Sequence, residues 1–423
     1  MGEVHLKPPI WRMGVPVATP ITFRDIMAAI AGLGGQDQWQ ALAAECAQFL
    51  EMPFVHAADS GRAALFITLS AMREGSTRDE VVIPAFVCPS VATAVIKAGL
   101  KPVLCDVGEH GSGLNLSALE RTLSPNTLCI VAAHLFGYPC DVRPIRALAD
   151  ARAVRFIEDC AQSFGARVDG RSVGAMADAS IHSFGMSKVL WSIGGGMVAT
   201  KDPSLNASLQ AAFGKLEQPP AMKKLSSVAK FAIVAAIVRS HSLGPIAGFW
   251  NSVLRGRDDF SDFGVRALST ASANVARRMI LRWRAITAVR RSNAARLTEA
   301  LSEIDGLTLP AQDCAVEPVC LRLPLIVENP IARDKIFAEL RSSGINSSLL
   351  YERHSFESLR ALTASSERFP RTEYLVDRII SLPTHAFIRE RDIQAIIAAF
   401  DRVLGSTRVT EVGAGRAAGL AHQ

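Results

Sequence analysis

An α/β fold is predicted, with a mostly parallel sheet of the seven-stranded type sandwiched by helices and a smaller C-terminal α+β domain. Three observations carry this. Short β-branched and aromatic runs alternate with segments of helical spacing from Phe54 to Thr200, and that alternation builds parallel sheets with helices on both faces. After Thr200 the pattern changes to longer helical segments around an alternating apolar strand, Cys320–Val327. Finally, 423 residues, 49% hydrophobic and 20% charged, make a globular chain too long for one compact core.

The elements follow in order. Residues 1–16 are proline-marked and read as an extended arm. Ile21–Leu33 and Asp37–Leu50 have helical spacing, with Gly34-Gly35 breaking them apart. Phe54–Ala57 is a strand, and the chain turns at Gly61 into a helix running to about Met72. Strands at Glu80–Pro84, Pro102–Asp106 and Cys129–Ala133 alternate with helices at Val91–Ala98, Leu116–Leu123 and Val142–Ala151. Val154–Ile157, Ser180–Phe184 and Met197–Thr200 complete the strands of a large domain over residues 17–268. Ser204–Phe213 is helical, whereas residues 214–262 form a basic and apolar insertion with no assigned structure. One long helix over Ser269–Ile304 leads into a small domain at 269–405. That domain holds strands Cys320–Val327 and Ile345–Leu350 and helices Ala332–Ser342, Glu373–Arg378 and Arg389–Leu404. Residues 406–423 lack periodicity and read as a disordered tail.

Composition removes several classes. The eight cysteines are scattered with no Cys-x-x-Cys pair, which excludes a zinc ribbon and suits buried thiols in a reducing compartment. No metal site is expected, and no nucleic-acid partner. The chain's start carries no basic leader before an apolar core, and no run reaches the length of a spanning helix, so a cytoplasmic protein is expected. Between Gln218 and Thr298 stand 14 Lys or Arg against three acids, a local +11 that leaves −5 for the remainder. Such a zone suits an anionic nucleotide, an acidic membrane surface or an acidic partner; it equally suits a solvated helical face. Phe231–Val238 is eight apolar residues in a row, flanked by Lys223, Lys224, Lys230 and Arg239. Packing against the body or a partner subunit is its expected role, with peripheral membrane contact through 221–255 as the alternative.

The chemistry concentrates between Val154 and Thr200. The first strand there ends at Glu158-Asp159, and ligands of open α/β sheets sit beyond such carboxyl ends. Lys188 follows the next strand in the loop Gly185-Met186-Ser187, and Gly194-Gly195-Gly196 opens the third. A carboxylate, an amine and a glycine-lined floor suit pyridoxal phosphate (PLP): the acid keeps the pyridine nitrogen protonated and the lysine forms the Schiff base. The turn Asp59-Ser60-Gly61-Arg62 into a helix is a ready anion site.

Taken in order, these blocks resemble the DegT/DnrJ/StrS family of PLP-dependent sugar aminotransferases, which share the type I fold of PLP-dependent transferases. The resemblance rests on Ser60-Gly61-Arg62-Ala63-Ala64-Leu65, Val82–Asp106, His134-Leu135-Phe136-Gly137 with Asp141, Phe156–Thr200 and, more weakly, Leu382-Pro383-Thr384-His385. It implies a homodimeric transaminase moving an amino group from an amino acid, glutamate in the leading reading, to a keto sugar linked to a nucleotide. Lys188 would bind the cofactor covalently and move the proton; Asp159 would pair with the pyridinium, which should lower the acid's pKa. Gln162 matches the glutamine near the ring hydroxyl. Ser183, with the backbone amides of Gly61 and Arg62 beside Ser60, matches the phosphate site. His134 and Tyr351 lie in matched blocks without an assigned step.

Three departures stand out. Arg62 replaces the family's usual threonine, and Cys88 stands where many members stack an aromatic ring on the pyridine. The segment before the long helix, Phe263-Gly264-Val265-Arg266, lacks the asparagine that reaches the neighbouring subunit's phosphate. Arg62 is thus a candidate for the missing phosphate charge. Two alternatives remain open: a sugar dehydratase, which Lys188 opposes, and a non-catalytic PLP-binding regulatory or membrane-associated protein.

Overall fold

The computed structural model describes residues 19–35, 37–111, 113–239, 263–311 and 313–405. The expected arm, the tail and the later part of the insertion lie outside them. A seven-stranded sheet has the order β1-β9-β8-β5-β4-β2-β3. Its strands are β1 (Phe54–Ala58), β2 (Glu80–Pro84), β3 (Lys101–Cys105), β4 (Thr127–Ala133), β5 (Arg155–Asp159), β8 (Ala179–Ser183) and β9 (Gly196–Thr200). From β3 through β8 every pairing is parallel, while β9 runs antiparallel to both β8 and β1. The carboxyl ends of β1, β2, β4, β5 and β8 therefore share one edge, where β9 begins.

Burial explains the apolar runs. All seven residues of β4 are buried, as a central parallel strand covered on both faces requires. Ala63, Leu65, Ile67 and Leu69 of helix α3 (Gly61–Arg73) join one core, with Val81 and Ile83 of β2 and Ile181 of β8. Val82, Ile130, Phe156 and Ile145 form another. Gly196 is irreplaceable at the start of β9: a Cβ there would lie 2.2 Å from Gly61 N, so backbone meets backbone where α3 begins.

A three-stranded antiparallel sheet joins β10 (Leu307–Thr308), β12 (Arg322–Val327) and β13 (Ile379–Pro383). Helices Pro330–Ser342 and Glu390–Phe400 cover it through a core containing Leu323, Leu325, Ile336, Ile380 and Ile396. A second small sheet pairs β11 (Val316–Glu317) with β6 (Arg167–Val168) and β7 (Arg171–Ser172).

Several elements differ from the sequence expectation. The single helix over Ser269–Ile304 is two, Thr270–Leu281 and Trp283–Leu301, broken at Arg282 (φ −106°, ψ 4°). The break lets the Arg282 guanidinium reach Asp25 at 2.6 Å and lets Trp283 Nε1 donate to Phe164 O at 3.0 Å. Ile345–Leu350 is not a strand. Only Ser348 pairs with Ser381, after which the chain turns at Tyr351, whose φ of 60° ends any extended run. The expected helix Glu373–Arg378 begins earlier, at Pro370, and ends at Val376. The unassigned insertion contains α8 (Ala221–Arg239), and a helix at Arg353–Thr363 was not foreseen.

Candidate active site

The loops at the shared carboxyl edge enclose a cavity of ≈ 320 Å³. Five strand ends deliver residues: Ser60, Gly61 and Arg62 follow β1, Cys88 follows β2, His134 follows β4, Asp159 ends β5 and Ser183 ends β8. Lys188 and Gln162 enter from the loops beyond β8 and β5, and Tyr351 arrives from the distant turn. All eight residues singled out from the sequence line this one cavity.

Asp159 Oδ1 accepts from Ala161 N–H at 3.0 Å. Burial raises its pKa above the ordinary carboxylate value, against the Ala161 N–H and the charge of Lys188. The sequence led to a lowered value, set by a ring cation; in the protein's own surroundings desolvation dominates. Among the described ion pairs none joins Lys188 to Asp159. Acid and amine thus face a common space without neutralising each other.

At the other end lies the start of α3. Ser60 caps it, its Oγ accepting from Ala63 N–H at 3.2 Å. A Cβ on Gly61 would sit 3.2 Å from Ser183 Cβ, so the missing side chain brings the first helical turn against the serine. The N–H groups and positive dipole end of that turn, together with the Ser183 hydroxyl, favour an anion. The Arg62 guanidinium lies over the Phe263 ring, 5.2 Å from its centroid. Phe263, from the segment lacking the asparagine, packs in its own chain, edge-on to Phe66.

Gln162 is held twice. Phe136, at a positive φ of 58°, turns its N–H onto Gln162 Oε1 at 2.8 Å, and Gln162 Nε2 donates to the Tyr351 hydroxyl at 2.5 Å. The backbone donor fixes which carboxamide atom faces which partner. Tyr351 packs edge-on against Phe86, and burial, with Cys88 and Asp159 nearby, raises its pKa well above the usual phenol value. Ser90 Oγ donates to Cys88 Sγ at 3.0 Å.

Behind the cavity His134 Nε2 meets Glu158 Oε2 at 2.8 Å, while its Nδ1 accepts from Cys140 N–H at 3.1 Å. An amide aimed at Nδ1 needs a lone pair there, so the proton resides on Nε2 and points at Glu158. Glu158 also accepts from the N–H groups of Gly174 and Met176. His134, Glu158 and Cys160 offer ligand atoms within 4.8 Å of one another. Yet those donors already occupy the histidine and the carboxylate, so the trio is a self-satisfied polar network. The Gln162–Tyr351 bond and this network were not foreseen; the only sequence signal was that His134 and Tyr351 fell in matched blocks.

Comparison with known proteins gives concordant results. Residues 32–401 match the DegT/DnrJ/EryC1/StrS aminotransferase family. The chain is 29% identical over 369 residues to a UDP-N-acetyl-3-dehydro-α-D-glucosamine 3-aminotransferase of Acidithiobacillus ferrooxidans, covering 87% of this chain and 89% of that protein. It is 29% identical over 362 residues to a dTDP-3-amino-3,4,6-trideoxy-α-D-glucose transaminase of Micromonospora megalomicea, covering 84% of each. Among solved structures, an aminotransferase of Helicobacter pylori involved in pseudoaminic acid biosynthesis superposes with a TM-score of 0.75 at 17% identity, over 93% of this chain and 100% of that one.

Proposed function

This chain belongs to the DegT/DnrJ/EryC1/StrS aminotransferase family, and from that premise we propose that it is a PLP-dependent transaminase acting as a homodimer. It takes the amino group of an amino-acid donor, glutamate, and delivers it to the carbonyl carbon of a keto sugar carried on a nucleotide. The single observation behind this reading is the buried carboxylate of Asp159 sharing one cavity with Lys188 and no ion pair between them. An under-compensated buried carboxylate calls for a cation beside it, and an amine left unpaired is available as a nucleophile.

The residues fit PLP. Asp159 would partner the protonated ring nitrogen, and Lys188 would hold the cofactor covalently. The Ser183 hydroxyl and the first turn of α3, with Gly61 and Arg62, receive the phosphate. Gln162, anchored by Phe136 N–H and Tyr351, borders the ring, and Cys88 occupies the position of the family's stacking aromatic. Bound there, PLP supplies the electron sink that stabilises negative charge on the donor's α-carbon. The chain supplies the rest. The Lys188 amine would move the proton taken from that carbon. The buried Asp159 carboxylate keeps the ring-nitrogen proton in place.

The test is a single half-reaction. Protein loaded with PLP and given glutamate without acceptor should release one 2-oxoglutarate per active site, and Lys188→Ala protein should release none. Release by the Lys188→Ala protein at the parent's rate would overturn the assignment. Light scattering on the purified protein checks the dimer.

A further inference from the structure

Much of the exposed large apolar surface of the described residues lies on two neighbouring helices. Helix α1 (Phe23–Leu33) packs against α8 and, through Gly32, onto the helix Thr270–Leu281; a Cβ on Gly32 would lie 2.5 Å from Ala271 Cα. Its buried face is Asp25, Ala29 and Gly32. Phe23, Met27 and Ile30, spaced i, i+4, i+7, form an exposed stripe, with Phe23 68% accessible. Helix α8 docks through Val228, Phe231, Val234 and Ala235, with Phe231 edge-on to Trp191 at 6.0 Å. Its opposite face carries Met222, Leu225 and Ile233, all exposed, with Met222 75% accessible. A helix apolar on both sides is normally covered on both sides.

Charge selects the cover. The sequence from Gln218 to Arg257 contains six Lys or Arg and no acid. Lys230 of α8 and Arg24 of α1 are exposed beside the stripes, and Lys223 reaches Asp59 only at 3.9 Å. The one acid in the two helices, Asp25, is buried beneath Arg278 and Arg282. Protruding apolar side chains with a cationic border match an anionic lipid surface.

We propose that the outward faces of α1 and α8 dock this enzyme on an anionic bilayer surface, Phe23, Met27, Met222 and Ile233 entering the headgroup region and the bordering cations meeting lipid phosphates. No described helix is long and apolar enough to cross a membrane, so contact is interfacial. The inference does not depend on the reaction proposed above.

Flotation of the full chain with vesicles tests it. The parent should float with phosphatidylcholine vesicles containing about a third phosphatidylglycerol and remain behind with phosphatidylcholine alone. Met222→Glu/Ile233→Glu protein should lose flotation at least about tenfold, since acids replace side chains that enter the interface. Arg24→Gln/Lys230→Gln protein should partition roughly 25-fold more weakly, at about fivefold per cation. Both variants should release 2-oxoglutarate at the parent's rate in lipid-free solution, showing that each folds. Failure of the parent to float on anionic vesicles, or equal flotation on neutral ones, overturns the proposal. So does a Met222→Glu/Ile233→Glu protein whose oligomeric state falls below the parent's, because the face would then join copies of the chain.

Discussion

Replacing Tyr351 by Phe isolates one hydroxyl. The ring contacts remain: Phe86 lies 5.5 Å away edge-on and Phe136 6.4 Å away. What disappears is the acceptor for Gln162 Nε2, at 2.5 Å in a side chain only 7% accessible. Leaving a buried amide donor unpaired costs about 1–3 kcal/mol. If that energy holds Gln162 in its working orientation, the same amount appears as a loss of roughly 5- to 150-fold in kcat/KM for glutamate. The other anchor, Phe136 N–H at 2.8 Å, keeps the side chain in the cavity, so the loss should stay within that bracket. The assay is initial-rate 2-oxoglutarate release across donor concentrations, paired with thermal melting to separate orientation from folding. Gln162→Ala should abolish the sensitivity: added to it, Tyr351→Phe should cost no more than about 0.5 kcal/mol. A Tyr351→Phe enzyme with kcat/KM within twofold of the parent would show that the amide alone fixes Gln162, and the reasoning would fail.

Three further changes probe the same frame. Burial raises the Asp159 pKa above the ordinary carboxylate value of 3.8. An acid whose pKa rises on folding destabilises the fold where it is ionised, and that cost fades as pH falls through the shifted value and below 3.8. PLP-free Asp159→Asn protein should therefore melt above the PLP-free parent at neutral pH, with the gap closing on acidification, while 2-oxoglutarate release by the PLP-loaded variant falls about a hundredfold or more; a lower melting point at neutral pH refutes the desolvation argument. Arg62→Ala should weaken PLP retention by roughly tenfold, as equilibrium dialysis would report, and retention equal to the parent's would return Arg62 to a purely packing role over Phe263. Asp25→Ala strips a fully buried carboxylate from Arg278 and Arg282, at 2.7 and 2.6 Å, and from the Thr22 N–H that caps α1. Chemical unfolding should register a loss of about 3–5 kcal/mol; a loss below about 1 kcal/mol would mean that the two arginines find water as readily as they find Asp25.

The parallel strands were legible because burial on both faces writes them as short unbroken apolar runs. Glu80–Pro84 matches residue for residue, and the other six sheet strands agree to within two residues at each end. Lys188 and Asp159 were legible for a related reason: sheet topology sends strand ends to a common edge, so a sequence position beside a strand is already a position in space. The Gln162–Tyr351 bond has no such rule, since it spans 189 residues and depends on a positive φ at Tyr351 that nothing local announces. The split at Arg282 escaped for the same reason. The Arg282 side chain at the break pairs with Asp25, which lies 257 residues away in sequence.

Helix α8 failed to declare itself for the opposite reason, too much hydrophobicity rather than too little signal. Helical reading relies on one polar and one apolar face, and Ala221–Arg239 places apolar side chains both where it docks, at Phe231 and Val234, and where it faces outward, at Met222 and Ile233. A segment that serves only its own fold has no reason to spend apolar residues on the outward side, because such surface favours association. The illegibility of residues 221–239 and the exposed face beside α1 are thus one physical fact, and the cations bordering it narrow the kind of surface it meets. If acids placed at positions 222 and 233 left vesicle binding untouched, that link would break, and the outward residues of α8 would be left without a physical account.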